Sequence, residues 1–106
     1  MAVVRSLFDW LAEARLRPGM FVRGHALAEL ESQCIGWEGA IQAHSIADPG
    51  AGFSQRFRDW LRAEHGLSTA RGWAEAIRRG AASDEEAWER FFTLLDAFRR
   101  GDANAG

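Results

Sequence analysis

Glu13-Ala14-Arg15-Leu16-Arg17-Pro18-Gly19-Met20-Phe21-Val22 decides how the chain divides, because a helix end, a proline and a glycine fall within one short run. The residue before a proline is pushed out of the helical region, so a helix running toward Pro18 has to stop there. Proline presets the backbone at the second position of a turn, and glycine supplies a positive φ at the third. Arg17–Met20 is therefore predicted to form a type II turn. Met20-Phe21-Val22 is expected as a short extended apolar segment laid over the core. The corner joins two helices.

Upstream of the corner, Ser6 and Asp9 have the spacing of a capping box, and Leu7, Trp10, Leu11 and Ala14 follow at helical spacing. Downstream, the spacing predicts a long helix over 25–46. Leu27, Leu30, Cys34, Trp37, Ile41 and His44 form an apolar seam along it at steps of three and four. Gly36 interrupts that helix and is placed to allow a close helix crossing beside Trp37. Asp48-Pro49-Gly50-Ala51-Gly52 is a loop. Ser54 is expected to cap a third helix that buries Phe57, Trp60 and Leu61 and ends at Gly66. Ser68 is expected to open a fourth, carrying Trp73 and Ile77, with Glu75 and Arg79 paired across one turn. Ser83 and Glu86 form the strongest capping box. Acidic residues 84–86 and basic Arg99 and Arg100 suit the two ends of a fifth helix whose apolar face is Trp88, Phe91, Phe92, Leu95 and Phe98. Gly101 onward is expected to fray, giving one helical domain over 1–100 and a disordered tail over 101–106.

The five tryptophans, Trp10, Trp37, Trp60, Trp73 and Trp88, fall one per predicted helix. Each brings a large apolar body to the interior, with an indole N–H that needs a partner. No useful strand alternation is present. The expected fold is all-α, a compact single-domain bundle of about five helices around a tryptophan-rich core.

The chain has 106 residues, 47% hydrophobic and 26% charged, and a formal net charge of −2. A chain of this size buries roughly 65% of its unfolded surface, enough for a core without metal or disulfides. The charge balance gives no broad basic footprint for nucleic acid and no polybasic membrane signal. Every basic side chain is Arg, and Lys and Tyr are absent. The single cysteine, Cys34, allows no internal disulfide and suits a reducing compartment. No run approaches the ~20 apolar residues of a membrane span. A cytoplasmic location is the expectation.

No catalytic, cofactor or metal constellation emerges. His25, His44 and His65 share no metal spacing; His44 continues the apolar seam and is expected to pack there. Cys34 lies on the same seam, where a thiol behaves as a small hydrophobe. Asp84, Glu85 and Glu86 are explained by capping, and Glu29 and Glu31 at i,i+2 do not face each other on a helix. Two arginine clusters remain: Arg56, Arg58 and Arg62 on the third helix, and Arg71, Arg78 and Arg79 on or before the fourth. Brought together, they would make a local positive surface. Exposed charges beside aromatics give the candidate partner contacts Glu38, Arg56, Arg62, Arg71 and Arg78.

Two resemblances bear on function. The Arg-Pro-Gly-Met-aromatic string is similar to one that precedes the ATP-binding core of type II topoisomerases. There the next helix carries a magnesium-binding Asn, and a glycine-rich lid follows. Here residues 27–41 hold Glu31 and Glu38 but no Asn, so ATP binding is not expected. The second resemblance covers roughly residues 10–98. Pro18-Gly19-Met20-Phe21, Gly36-Trp37, Phe57-x-x-Trp60-Leu61, Gly72-Trp73 and Phe91-Phe92-x-Leu94-Leu95-Asp96-x-Phe98 occur in the order seen in a group of small bacterial proteins. Arg23 before Gly24 departs from the group, where glycine directly follows the aliphatic residue. That resemblance implies binding rather than catalysis, with a toxin-like protein as partner and an immunity role. A small-ligand or regulatory domain with a pocket in its aromatic centre is the alternative.

Overall fold

The computed structural model describes residues 5–105. It contains α1 (Leu7–Leu16), α2 (Leu27–Ala43), α3 (Phe53–His65), α4 (Trp73–Arg79) and α5 (Asp84–Ala105), with no strand among the described residues. α2 packs against all four other helices, and short α4 lies against α2, α3 and α5. The protein is an all-α single-domain bundle around a buried aromatic cluster.

Ser6 and Ser83 cap as expected: each hydroxyl accepts the backbone N–H three residues on, from Asp9 at 3.2 Å and Glu86 at 3.1 Å. The returning carboxylates reach one residue further back than a standard capping box. Asp9 accepts Arg5 N–H at 3.0 Å, and Glu86 accepts Ala82 N–H at 2.8 Å. Gly66 closes α3 at φ 64°, its N–H donating back to the last turn. Glu75 and Arg79 pair at 3.3 Å.

The corner after α1 differs from the predicted type II turn. Pro18–Met20 forms one turn of 3-10 helix, with Met20 N–H donating to Arg17 O and Phe21 N–H to Pro18 O, both at 3.0 Å. Proline at the first helical position is preset for this geometry and lacks only an N–H that would go unused. The positive φ moves downstream to Gly24 and His25, at 54° and 60°. Met20–Val22 is accordingly not extended. Val22 is buried, Phe21 rests edge-on against Trp10 at 5.5 Å, and Met20 points to solvent.

Five helix ends also differ. α2 spans 27–43 rather than 25–46, and His44, at its C-terminal end, is exposed instead of packed. α3 starts from Gly52 rather than Ser54, and α4 from Gly72 rather than Ser68. α5 runs through Gly101 to Ala105, into the 101–106 stretch expected to fray. Arg99 therefore lies inside α5, with its guanidinium 4.3 Å from the Phe8 ring centre. Gly36 is exposed with open space around it, so no close crossing uses it.

Each tryptophan does lie on a different helix, and all five pack on the core. Their burial differs. Trp73 is 0% exposed and Trp88 is buried, whereas Trp10, Trp37 and Trp60 sit half-buried around the edge. Among the described residues only Trp10 and Trp37 touch as an indole pair, at 5.9 Å. Phenylalanines hold the centre: Phe57 contacts Phe53, Trp60, Trp73, Phe91 and Phe98, and Trp73 stacks on Phe91 at 4.7 Å. Edge-to-face and offset contacts of this kind add about 0.5–1.5 kcal/mol each beyond area burial.

Candidate functional site

α3 and α4 begin without a side-chain cap of their own, and a carboxylate from α2 completes each; a third carboxylate, from the loop after α2, adds to the Ser6 cap at the start of α1. Glu31 reaches from α2 to the start of α4, accepting Trp73 N–H at 2.8 Å and Ala74 N–H at 3.3 Å. Glu38, two turns further along α2, accepts Ser54 N–H at 2.9 Å and the Ser54 hydroxyl at 2.6 Å in the first turn of α3. Asp48 meets the start of α1 and accepts Leu7 N–H at 3.2 Å, Gly50 N–H at 2.6 Å and the Trp37 indole N–H at 3.3 Å. Helix N-termini carry unpaired N–H groups and a partial positive charge, so a carboxylate there is favoured twice over. The Ser54 hydroxyl also accepts the Trp73 indole N–H at 3.2 Å, linking the α4 core residue to α2 through α3.

Two glycines permit these approaches. Gly72 holds φ 95°, and a Cβ there would stand 2.5 Å from Glu31 Oε2; a Cβ on Gly50 would stand 2.4 Å from the Leu7 Cβ. Cys34 lies on α2 between Glu31 and Glu38, fully buried. Burial pushes its thiol pKa well above the ordinary value, and the charges of Glu38 and then Glu31 add to the rise. The thiol stays protonated and behaves as an apolar side chain.

Glu31 and Glu38 also line an open groove of about 1070 Å³ between α2, the 45–52 segment, the start of α3 and the 70–72 loop. Two isoleucines line it in the open: Ile35 on α2 is 54% exposed and Ile46 is 53% exposed. Arg58 and Arg71 supply its positive charge. Arg71 is exposed and takes no ion pair or hydrogen bond among the described residues. Arg58 donates to the neutral Gln55 side-chain oxygen, and its Nε is buried without an acceptor.

The five candidate contacts fare differently. Glu38 and Arg71 share the groove, but Glu38 is committed to holding α3. Arg56 donates to Pro49 O at 2.8 Å and Ala51 O at 3.2 Å and stands over Phe98, holding the loop before α3. Arg62 pairs with Asp59 at 2.8 Å. Arg78 pairs with Asp84 at 2.7 Å and donates to Ala81 O. It lines a second depression, of about 540 Å³, together with Arg71 and Arg79. Arg58 and Arg71 bring one member of each arginine cluster to the groove.

Sequence reasoning passed over Ile35 and Ile46. Ile35 carried a usable signal, since it lies one position off the Leu30–Cys34–Trp37 seam and must point away from the core. Leu16 and Met20 at the proline corner are also exposed, at 72% and 77%; a depression of about 610 Å³ beside that corner is lined by Arg15 and Pro18, and Arg15 already pairs with Asp96 at 3.1 Å. His25 lies edge-on to Trp88 at 5.7 Å and His65 to Trp60 at 4.9 Å. Among the described residues no three His, Cys, Asp or Glu side chains gather as a metal site, and no helix is long and apolar enough to cross a membrane. Comparison of the chain with family models, characterised proteins and solved structures finds no match.

Proposed function

We propose that the protein is a small non-catalytic binding protein that engages a protein partner through the α2–α3 groove, in the manner of an immunity factor covering a toxin. The observation that carries this reading is the pairing of two exposed isoleucines with two arginines that lack carboxylate partners, on a frame whose nearby acidic groups are already engaged. Exposed apolar side chains beside unpaired charge mark a surface that gains from being covered. A partner interface of ordinary size needs only ~800 Å² on each side, which this protein's 6467 Å² surface supplies. Immunity-type action is further supported by the order of motifs along residues 10–98.

Co-expression with the product of the adjacent gene, followed by affinity purification and a growth assay, tests this. A stoichiometric complex and protection from toxicity are expected. Absence of both would remove the proposal.

The small-ligand alternative places the ligand in the aromatic centre. That centre is filled by Phe53, Phe57, Phe91 and Trp73, all 0% exposed. A ligand entering it would change tryptophan emission; the partner-binding reading expects an unchanged spectrum across a metabolite panel.

A further inference from the structure

We infer that the groove takes an acidic, apolar segment of the partner protein, its carboxylates meeting Arg71 and Arg58 and its apolar side chains covering Ile35 and Ile46. The inference rests on the partner-binding reading and adds the chemistry of what is bound.

Charge decides the sign of the occupant. Arg15, Arg17, Arg62, Arg78 and Arg79 each hold a carboxylate of this chain, whereas Arg58 and Arg71 hold none. Glu31 and Glu38 line the same groove, but their oxygens face the N–H groups that open α4 and α3. Those helix ends offset their charge, leaving the two guanidiniums as the uncompensated groups. A guanidinium gains most from a carboxylate, which it can meet through two parallel hydrogen bonds. A basic segment would place like charges together. A nucleic-acid backbone needs a longer row of cations than two.

Apolar residues decide the rest. Ile35 and Ile46 are exposed on the groove itself, so carboxylates alone would leave them in water. A second copy of this chain offers the exposed acidic run Asp84-Glu85-Glu86, but the residues that follow, Ala87 and Trp88, are buried in its own core. That run supplies charge without apolar reach of its own, which favours a different protein over a second copy.

Selection of a phage-displayed random dodecapeptide library against the wild-type protein tests the inference. An Arg71→Glu counter-selection and Ile35 and Ile46 methyl spectra with the enriched peptides complete it. Arg71 makes no hydrogen bond or ion pair among the described residues, so its reversal is expected to leave the fold intact, checked by an unchanged unfolding midpoint. Enriched peptides should combine Asp or Glu with Leu, Ile or Phe, shift both isoleucine methyls saturably, and bind Arg71→Glu at least tenfold more weakly. Neutral or basic peptides that shift the same methyls would overturn the acidic preference and leave partner binding standing. Failure to enrich any groove-binding peptide would overturn the groove as a segment-binding site, and the co-expression experiment would then decide partner binding separately. A wild-type dimer that Arg71→Glu dissociates would make a second copy the occupant and also overturn the inference.

Discussion

Glu38 and Ser54 lie sixteen positions apart, and the Glu38 carboxylate accepts both the backbone N–H and the hydroxyl of Ser54, at 2.9 and 2.6 Å. One acidic side chain of α2 thus fixes where α3 begins. With Glu31 doing the same for α4 and Asp48 for α1, the central helix and its following loop set the start of three others.

Glu38→Ala should lower stability by about 1–3 kcal/mol, because two half-buried donors lose their acceptor. Glu38→Gln, which keeps one acceptor oxygen, should cost less. Urea unfolding measures both, and an unchanged Glu38→Ala midpoint would place Glu38 among the dispensable surface charges.

Gly72→Ala and Gly36→Ala should move stability in opposite directions. At Gly72 the positive φ and the 2.5 Å approach to Glu31 make any side chain strained, with a cost of about 1–3 kcal/mol. At Gly36 the helix interior is open, and alanine should add about 0.5–1 kcal/mol. Thermal unfolding of the two variants checks the pair, and equal effects would contradict it.

Cys34 makes stability fall at alkaline pH. Its folded pKa is raised, so above the ordinary thiol value near 9 the unfolded chain loses a proton that the folded chain keeps. The stabilisation is complete below that pH and is lost progressively as pH rises, at up to about 1.4 kcal/mol per pH unit. The chain contains no Lys and no Tyr, so few other groups titrate between pH 8 and 11. Urea midpoints across that range should decline in the wild type and stay nearly flat in Cys34→Ala. Parallel curves would contradict the account.

Tryptophan exposure should divide unequally. In variants keeping one tryptophan and replacing the others by Phe, Trp73 should emit furthest to the blue and resist acrylamide. Trp60, half-buried against Phe57 and Phe98, should be quenched readily. Equal quenching would mean that the indoles share one environment.

These relationships show which parts of the fold were legible. Helix number and type followed from local chemistry: serine caps at 6 and 83, the breaker at Pro18, the terminating Gly66 and one apolar stripe per helix. The starts of α3 and α4 were misplaced because Ser54 and Ser68 are good local caps, while the acceptors in use, Glu38 and Glu31, lie 16 and 42 positions from the N–H groups they hold. Local propensity cannot report such distant partners. For the same reason Glu38 looked like a free surface charge. Arg71 was identified from its cluster, but its lack of a partner is a property of the packed molecule. Ile35 was passed over, although the α2 seam leaves it off the buried face by simple periodicity.

Hydrogen–deuterium exchange of the protein alone and in complex with its co-expressed partner tests the central claim most directly. Binding through the groove predicts slowed exchange concentrated in residues 45–52 and 70–72, with the proline corner at 16–21 unchanged. Protection confined to that corner, around exposed Leu16 and Met20, with the groove exchanging as in the free protein, would contradict it.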